Sequence, residues 1–243
     1  MMLFDNILQA KIENRKLFAV LIDPEKCFGE RLIEFAKMID EAQPDFVFVG
    51  GSQLKSSVNQ AVETIKDITN VPVVIFPGNA MQTSENADAI LFLSLISGRN
   101  AEFLIGQHVK CAMEIKNSGI EVIPVGYILI DGKKQSAAAQ VSETEPLNDL
   151  DEIVKTAVAG ELLSNKMIYL EAGSGAKEPV NQQIISEVRE NISIPLIVGG
   201  GLSSVNDIKN ALKSGADLIV IGNFFEKMPE KIFEFCNFAK NFI

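Results

Sequence analysis

Eight short apolar runs alternate with amphipathic stretches from one end of this chain to the other. They lie at Leu17–Ile22, Asp45–Val49, Val71–Phe76, Ala89–Leu95, Glu121–Ile130, Met167–Glu171, Pro195–Val198 and Leu218–Ile221. The runs are continuous and rich in Val, Ile, Leu and Phe, as in strands covered on both faces. Helical patterns separate most of them, among them Glu30–Glu41, Val58–Ile68 and Ala101–Asn117, with Gly119 and Gly215 as stop signals. Strand–helix alternation demands parallel pairing. Eight such units in 243 residues predict one domain, 1–243, with the α/β architecture of a (β/α)8 TIM barrel.

The alternation breaks once. After Pro77-Gly78 only the stretch Asn79–Asp88 precedes the fourth run, at the lower limit for a covering helix and its two turns. The third helix is therefore expected to be missing or replaced by extended chain, which would leave one flank open to a long ligand. The stretch Asp131–Glu145 is polar and reads as a long loop of the kind that forms lids.

Charge and cysteine usage narrow the partners. The formal charge of −10 argues against nucleic acid, which wants a basic face. Any anion site must then be built locally. Cys27, Cys111 and Cys236 form no CxxC pair, which fits a reduced cytoplasmic protein without structural zinc. No apolar run is long enough to cross a bilayer, and no basic amphipathic helix offers a stable anchor, so membrane contact is expected to be transient at most.

Chemistry-bearing residues gather at the C-terminal ends of the predicted strands, where such barrels build their sites. Gly199, Gly200 and Gly201 follow the seventh run and Gly222-Asn223 the eighth, a pattern whose bare N–H groups can cradle a phosphate or simply make tight turns. Ser203 and Ser204 are candidate caps for the helix after the first of these turns. Asp23 ends the first run before Pro24, and Ser52 follows the second. Together they can hold Mg2+, a hard ion that prefers oxygen, although Asp23 can equally cap the next helix. Tyr169 and Glu171 are two apart on one strand and share a side. Glu171 reads as a general base or as half of a salt bridge, and Gly173-Ser174-Gly175 behind it lets backbone approach a ligand. The sole histidine, His108, lies mid-helix and reads as a surface or packing residue. Arg99, Asn100, Lys133 and Lys134 are available to neutralise a diphosphate, the two lysines more simply as solvated surface.

The runs Leu21-Ile22-Asp23-Pro24, Val49-Gly50-Gly51-Ser52, Phe76-Pro77-Gly78-Asn79, Pro124-Val125-Gly126-Tyr127, Tyr169-Leu170-Glu171-Ala172-Gly173-Ser174-Gly175, Val198-Gly199-Gly200-Gly201 and Ile221-Gly222-Asn223 resemble the geranylgeranylglyceryl phosphate synthase family and its bacterial relatives. The resemblance covers nearly the whole chain and implies a barrel lacking its third helix. It implies a prenyltransferase of ether phospholipid biosynthesis, joining the 3-hydroxyl of sn-glycerol 1-phosphate to geranylgeranyl diphosphate, with a longer heptaprenyl chain as the nearest alternative. By that resemblance Asp23 and Ser52 ligate Mg2+, and the run Tyr169, Leu170, Glu171, Ala172, Gly173, Ser174 and Gly175 contacts the glycerol phosphate. Gly199, Gly200, Gly201, Gly222 and Asn223 hold its phosphate, and Glu171 is the base. A homo-oligomer, dimer or hexamer, is also implied. Ser97-Gly98-Arg99-Asn100-Ala101 departs from the family pattern in lacking a final proline. A phosphosugar isomerase or synthase on the same barrel is the other reading. It would need a Schiff-base lysine or an acid/base pair at strand ends, and no lysine lies at one.

Overall fold

The computed structural model describes residues 2–51, 57–134 and 136–242. Eight parallel strands close into a barrel in sequence order: β1 (Leu17–Ile22), β2 (Phe46–Val49), β3 (Val73–Ile75), β4 (Ala89–Leu95), β5 (Glu121–Leu129), β6 (Met167–Glu171), β7 (Leu196–Gly199) and β8 (Leu218–Ile221), with β8 pairing back to β1. Alternate residues on each strand enter two different cores. Leu17, Ala19, Phe46, Phe48, Leu91, Val125, Tyr169 and Ile197 fill the barrel. Phe18, Val20, Val47, Val49, Ile168, Leu170 and Val198 pack outward against the helices. Because both faces are buried, the strands read as unbroken apolar runs.

The α-helices among the described residues are α1 (Leu3–Ile12), α2 (Gly29–Ala42), α3 (Asn59–Lys66), α4 (Gln107–Ser118), α5 (Ala137–Ser142), α6 (Leu150–Leu162), α7 (Gln182–Asn191), α8 (Val205–Lys213) and α9 (Lys231–Lys240), and most of them cover the barrel wall. Helix α1, which the sequence pattern does not foretell, places Ile7 and Ala10 in the inner core. Its N-terminus is held by Glu121, at the start of β5, whose carboxylate accepts from the backbone N–H groups of Leu3 and Phe4. A carboxylate there meets the positive end of the helix dipole. This helix stops the end of the barrel opposite the strand C-termini.

No helix connects β3 to β4. Residues 76–88 run as turns and extended chain, as the short spacing predicted. Side chains substitute for the missing helix packing. The buried Gln82 amide forms a reciprocal pair with Gly51, accepting from its N–H at 3.2 Å and donating to its carbonyl at 2.7 Å. Gln107, at the start of α4, accepts from the Ala80 N–H at 2.7 Å. A single π-helical turn, Glu102–Gly106, leads into α4.

The segment 131–145 is not the plain loop the sequence suggested. It contains α5, whose N-cap Ser136 accepts from the Ala139 N–H at 3.1 Å. Three consecutive alanines supply high helix propensity there.

Candidate functional site

The strand C-termini surround a cavity of about 360 Å³. Asp23, Glu25 and Lys26 from the β1 loop, Glu171, Gly173 and Ser174 from β6, and Asn223 and Glu226 from the β8 loop all line it. Five positions chosen from sequence, Asp23, Glu171, Gly173, Ser174 and Asn223, therefore meet in one space although up to 200 residues separate them.

Asp23 does not cap a helix. α2 begins at Gly29 behind Phe28, which makes no side-chain cap. Instead one Asp23 oxygen accepts from the Glu25 N–H at 3.1 Å, and the other lies 3.1 Å from the Lys26 ammonium. Its partly exposed carboxylate already attracts a cation, and the cavity it lines carries further carboxylates at Glu25, Glu171 and Glu226, oxygen groups that suit a hard ion. Among the described residues no cluster of three or more His, Cys, Asp or Glu forms a ready-made metal cage. That is the usual situation for Mg2+, which takes one or two carboxylates and completes its shell with water and substrate phosphate. Ser52 lies outside the described residues.

Glu171 is buried at the end of β6. One of its oxygens accepts from the Gly173 N–H at 2.7 Å. No lysine or arginine pairs with it among the described residues, so the salt-bridge alternative falls away. Burial pushes its carboxyl up to about 7, with the Gly173 N–H and the neighbouring Tyr169 hydroxyl pulling the other way. A carboxylate balanced near neutrality is suited to taking a proton. Tyr169, directed into the barrel, is fully buried, and its hydroxyl makes no well-formed hydrogen bond among the described residues.

The β7 turn is glycine because nothing else fits. A Cβ on Gly199 would come within 2.1 Å of the Tyr169 hydroxyl. Gly200 and Gly201 adopt φ of +78° and +72°, which side chains disfavour. The backbone N–H groups of Gly175, Gly200, Gly201 and Asn223 have no acceptor among the described residues, which leaves them available to an anion. Ser204 caps α8 by accepting from the Asp207 N–H at 3.1 Å. Asn223 donates to the Ser174 hydroxyl and ties the β8 turn to the β6 turn. The helix after β8 begins only at Lys231, so its N-terminus is separated from Gly222-Asn223 by further turns.

Other anticipated residues lie elsewhere. Leu170 and Ala172 send their side chains into the outer core, so only their backbone faces the turn region. The Arg99 guanidinium donates to the carbonyls of Ile96 and Gly98, and the Asn100 amide donates to the Ser142 carbonyl. Both brace their own surroundings, and neither lines the mouth cavity. The Lys133 ammonium is paired with Asp131 at 2.8 Å.

A second space, of about 110 Å³, adjoins the first where the third helix is missing. Its wall is mostly apolar, with Phe76, Ile90, Phe92, Phe103, Cys111 and Val141 prominent. His108 is buried in this wall with its ring 4.2 Å, edge-on, from that of Phe92, a packing role rather than a surface one. Phe76 and Tyr127 border both spaces, and their ring centroids are 6.0 Å apart. Sequence reasoning gave these two aromatics no role. The available signal was an aromatic residue on each side of the irregular third unit, one directly after β3 and one late in β5.

Comparison with known proteins bears on this arrangement. Residues 9–239 match the model of the PcrB family. A geranylgeranylglyceryl phosphate synthase of Zunongwangia profunda is 48% identical over 92% of this chain and 97% of its own length. The enzyme of that name from Pyrococcus horikoshii is 37% identical over 92% of this chain and 89% of its own. The crystal structure of (S)-3-O-geranylgeranylglyceryl phosphate synthase from Thermoplasma acidophilum, in complex with its substrate sn-glycerol-1-phosphate, superposes with a TM-score of 0.93. That protein is 30% identical, and 99% of each chain is covered.

Proposed function

This chain belongs to the PcrB family, and on that premise we propose that it transfers a geranylgeranyl group from its diphosphate to the 3-hydroxyl of sn-glycerol 1-phosphate, with Mg2+. The observation that carries the reading is the shared Phe76–Tyr127 wall. It joins a polar mouth lined by Glu171, Gly173, Ser174 and Asn223 to an apolar groove in the flank. Few reactions need both. An isoprenoid tail suits the groove, where each buried methylene contributes about 0.8 kcal/mol. A phosphomonoester suits the turns.

The chemistry follows from these placements. The ester bond between carbon 1 of the prenyl chain and the diphosphate breaks, and its electron pair leaves with the diphosphate. Mg2+, when bound, stabilises charge on the departing oxygens, and Asp23 and Ser52 are the residues that would hold it. Phe76 and Tyr127 stand where the two spaces meet, and an aromatic ring there would favour developing allylic cation. The glycerol 3-hydroxyl supplies the pair for the new ether bond, and Glu171 takes its proton. The glycine turns hold the phosphate so that one hydroxyl reaches carbon 1.

No helix among the described residues is long and apolar enough to cross a membrane. Self-association into a homo-oligomer is supported by exposed Ile105, Val109 and Met113, which recur every fourth residue along one side of the π turn and α4.

The test is incubation with labelled sn-glycerol 1-phosphate, Mg2+ and prenyl diphosphates from geranyl to heptaprenyl, followed by organic extraction. Extractable label that peaks with the geranylgeranyl donor is expected. Folded protein that yields none with any donor would remove the assignment, and a heptaprenyl peak would transfer it to the longer chain.

A further inference from the structure

The reading of the glycine turns as a phosphate cradle leaves a charge unanswered. The mouth is lined by Asp23, Glu25, Glu171 and Glu226, and Lys26 is the one basic side chain lining it among the described residues. Lys26 is itself engaged, 3.1 Å from Asp23 and 3.3 Å from Glu226. A phosphomonoester dianion entering a chain of net charge −10 needs a cation of its own.

We propose that Lys134 is that cation: a binding residue, carried by the loop after β5, whose ammonium neutralises the phosphate held at the Gly175 and Asn223 turns. The proposal rests on the phosphate assignment above. Three observations support it.

First, the Lys134 Nζ lies 3.3 Å from the point where a Cβ on Gly175 would stand, and the Asn223 Nδ2 lies 3.7 Å from the same point. Two side-chain donors thus gather over a glycine whose own N–H has no acceptor among the described residues. Second, the neighbouring lysines have different tasks. Lys133 has φ of +58° and pairs with Asp131, while Lys134 has no ion-pair partner among the described residues. An unpaired ammonium beside unpaired N–H groups is half of an anion site.

Third, the loop that carries Lys134 is fitted to the β6 turn. The Lys177 N–H donates to the Gly132 carbonyl at 3.0 Å. A Cβ on Gly132 would come within 2.3 Å of the Ala172 carbonyl, and one on Gly173 within 2.6 Å of the Ser136 Cβ. The close fit sets the reach of Lys134 from backbone packing on either side of it.

The experiment is calorimetric titration of sn-glycerol 1-phosphate into the full chain, with steady-state kinetics in parallel. The variants are Lys134→Met, Lys134→Arg and Lys133→Met, each checked by thermal melting. Removing one charge-assisted hydrogen bond should weaken binding about tenfold in Lys134→Met. KM for glycerol phosphate should rise by a similar factor while kcat holds. Lys134→Arg should recover most of the loss, and high salt should shrink the difference between wild type and Lys134→Met. Lys133→Met should bind like wild type.

If wild type binds and Lys134→Met binds equally well, Lys134 is solvated surface and the proposal fails while the prenyltransferase reading stands. Equal losses in the two lysine variants would reduce the effect to general loop charge and would also overturn it. If wild type binds no glycerol phosphate, the phosphate reading and this inference fall together.

Discussion

The Lys26 ammonium lies 3.1 Å from an Asp23 oxygen, so the carboxylate proposed to meet a metal already holds a cation. The lysine side chain is 46% exposed, and an exposed pair of this kind contributes at most about 1 kcal/mol. A divalent ion arriving with diphosphate can therefore displace it. Asp23→Asn should lower Mg2+-dependent turnover by about a hundredfold or more. Glycerol phosphate affinity should stay within about twofold, because the glycine turns are untouched. Single-turnover kinetics and calorimetry on the same preparation separate the two, and parallel loss of both would show that Asp23 serves the fold rather than the metal.

Glu171 ties activity to pH. Its carboxyl is raised to about 7 by burial, and only the ionised form accepts a proton. The value of kcat/KM should rise as pH passes through about 7 and level off above it. Stability should move in the opposite direction. Between the ordinary carboxyl range and about 7 the folded chain holds a proton that the unfolded chain has released, so stability falls as pH rises through that window. The shift corresponds to a cost on the order of 3 kcal/mol in the ionised state. Glu171→Gln removes both effects: turnover should drop by about a hundredfold or more, while the melting temperature above pH 7 should exceed that of wild type. A pH-independent kcat/KM in wild type would count against Glu171 as base.

The groove can be shortened without touching the mouth. Cys111 is buried on α4 and lines the apolar space. Cys111→Phe should fill that end, reduce turnover with geranylgeranyl diphosphate by about tenfold and leave geranyl diphosphate within about twofold. Donor competition followed by mass spectrometry reads the ratio directly. An unchanged ratio would move the tail elsewhere.

Gly199 and Tyr169 are coupled sterically. A Cβ at Gly199 would sit 2.1 Å from the tyrosine hydroxyl and 2.9 Å from the ring carbon that bears it. Gly199→Ala should cost about 1–3 kcal/mol. Removing the hydroxyl by Tyr169→Phe in the same chain should recover part of that cost, since neighbouring substitutions are not additive. Denaturant unfolding of the four proteins in the cycle measures it, and strict additivity would contradict the close approach.

The strands were legible because burial on both faces leaves little room for polar residues: β1, β4, β6 and β8 begin and end where their apolar runs do. The missing helix was legible from the length of 79–88 alone. Helix α1 was not, because its stretch carries polar residues among the apolar ones and its anchor, Glu121, is distant in sequence. Of the mouth's lining, Asp23, Glu171, Gly173, Ser174 and Asn223 were legible as strand-terminal positions, which follow from place within each unit. The Phe76–Tyr127 wall and the approach of Lys134 to Gly175 depend on barrel closure and loop packing. Sequence spacing carries no record of either.

The extended chain at 76–88 gives the barrel an opening in its flank as well as one at its end. A molecule that is salt-like at one end and oily at the other can then enter and leave in two directions at once. Its greasy portion need never be pulled through a ring of carboxylates. The absent helix is in effect a side door, through which the oily portion can slide in from the flank while the charged portion comes in at the strand ends.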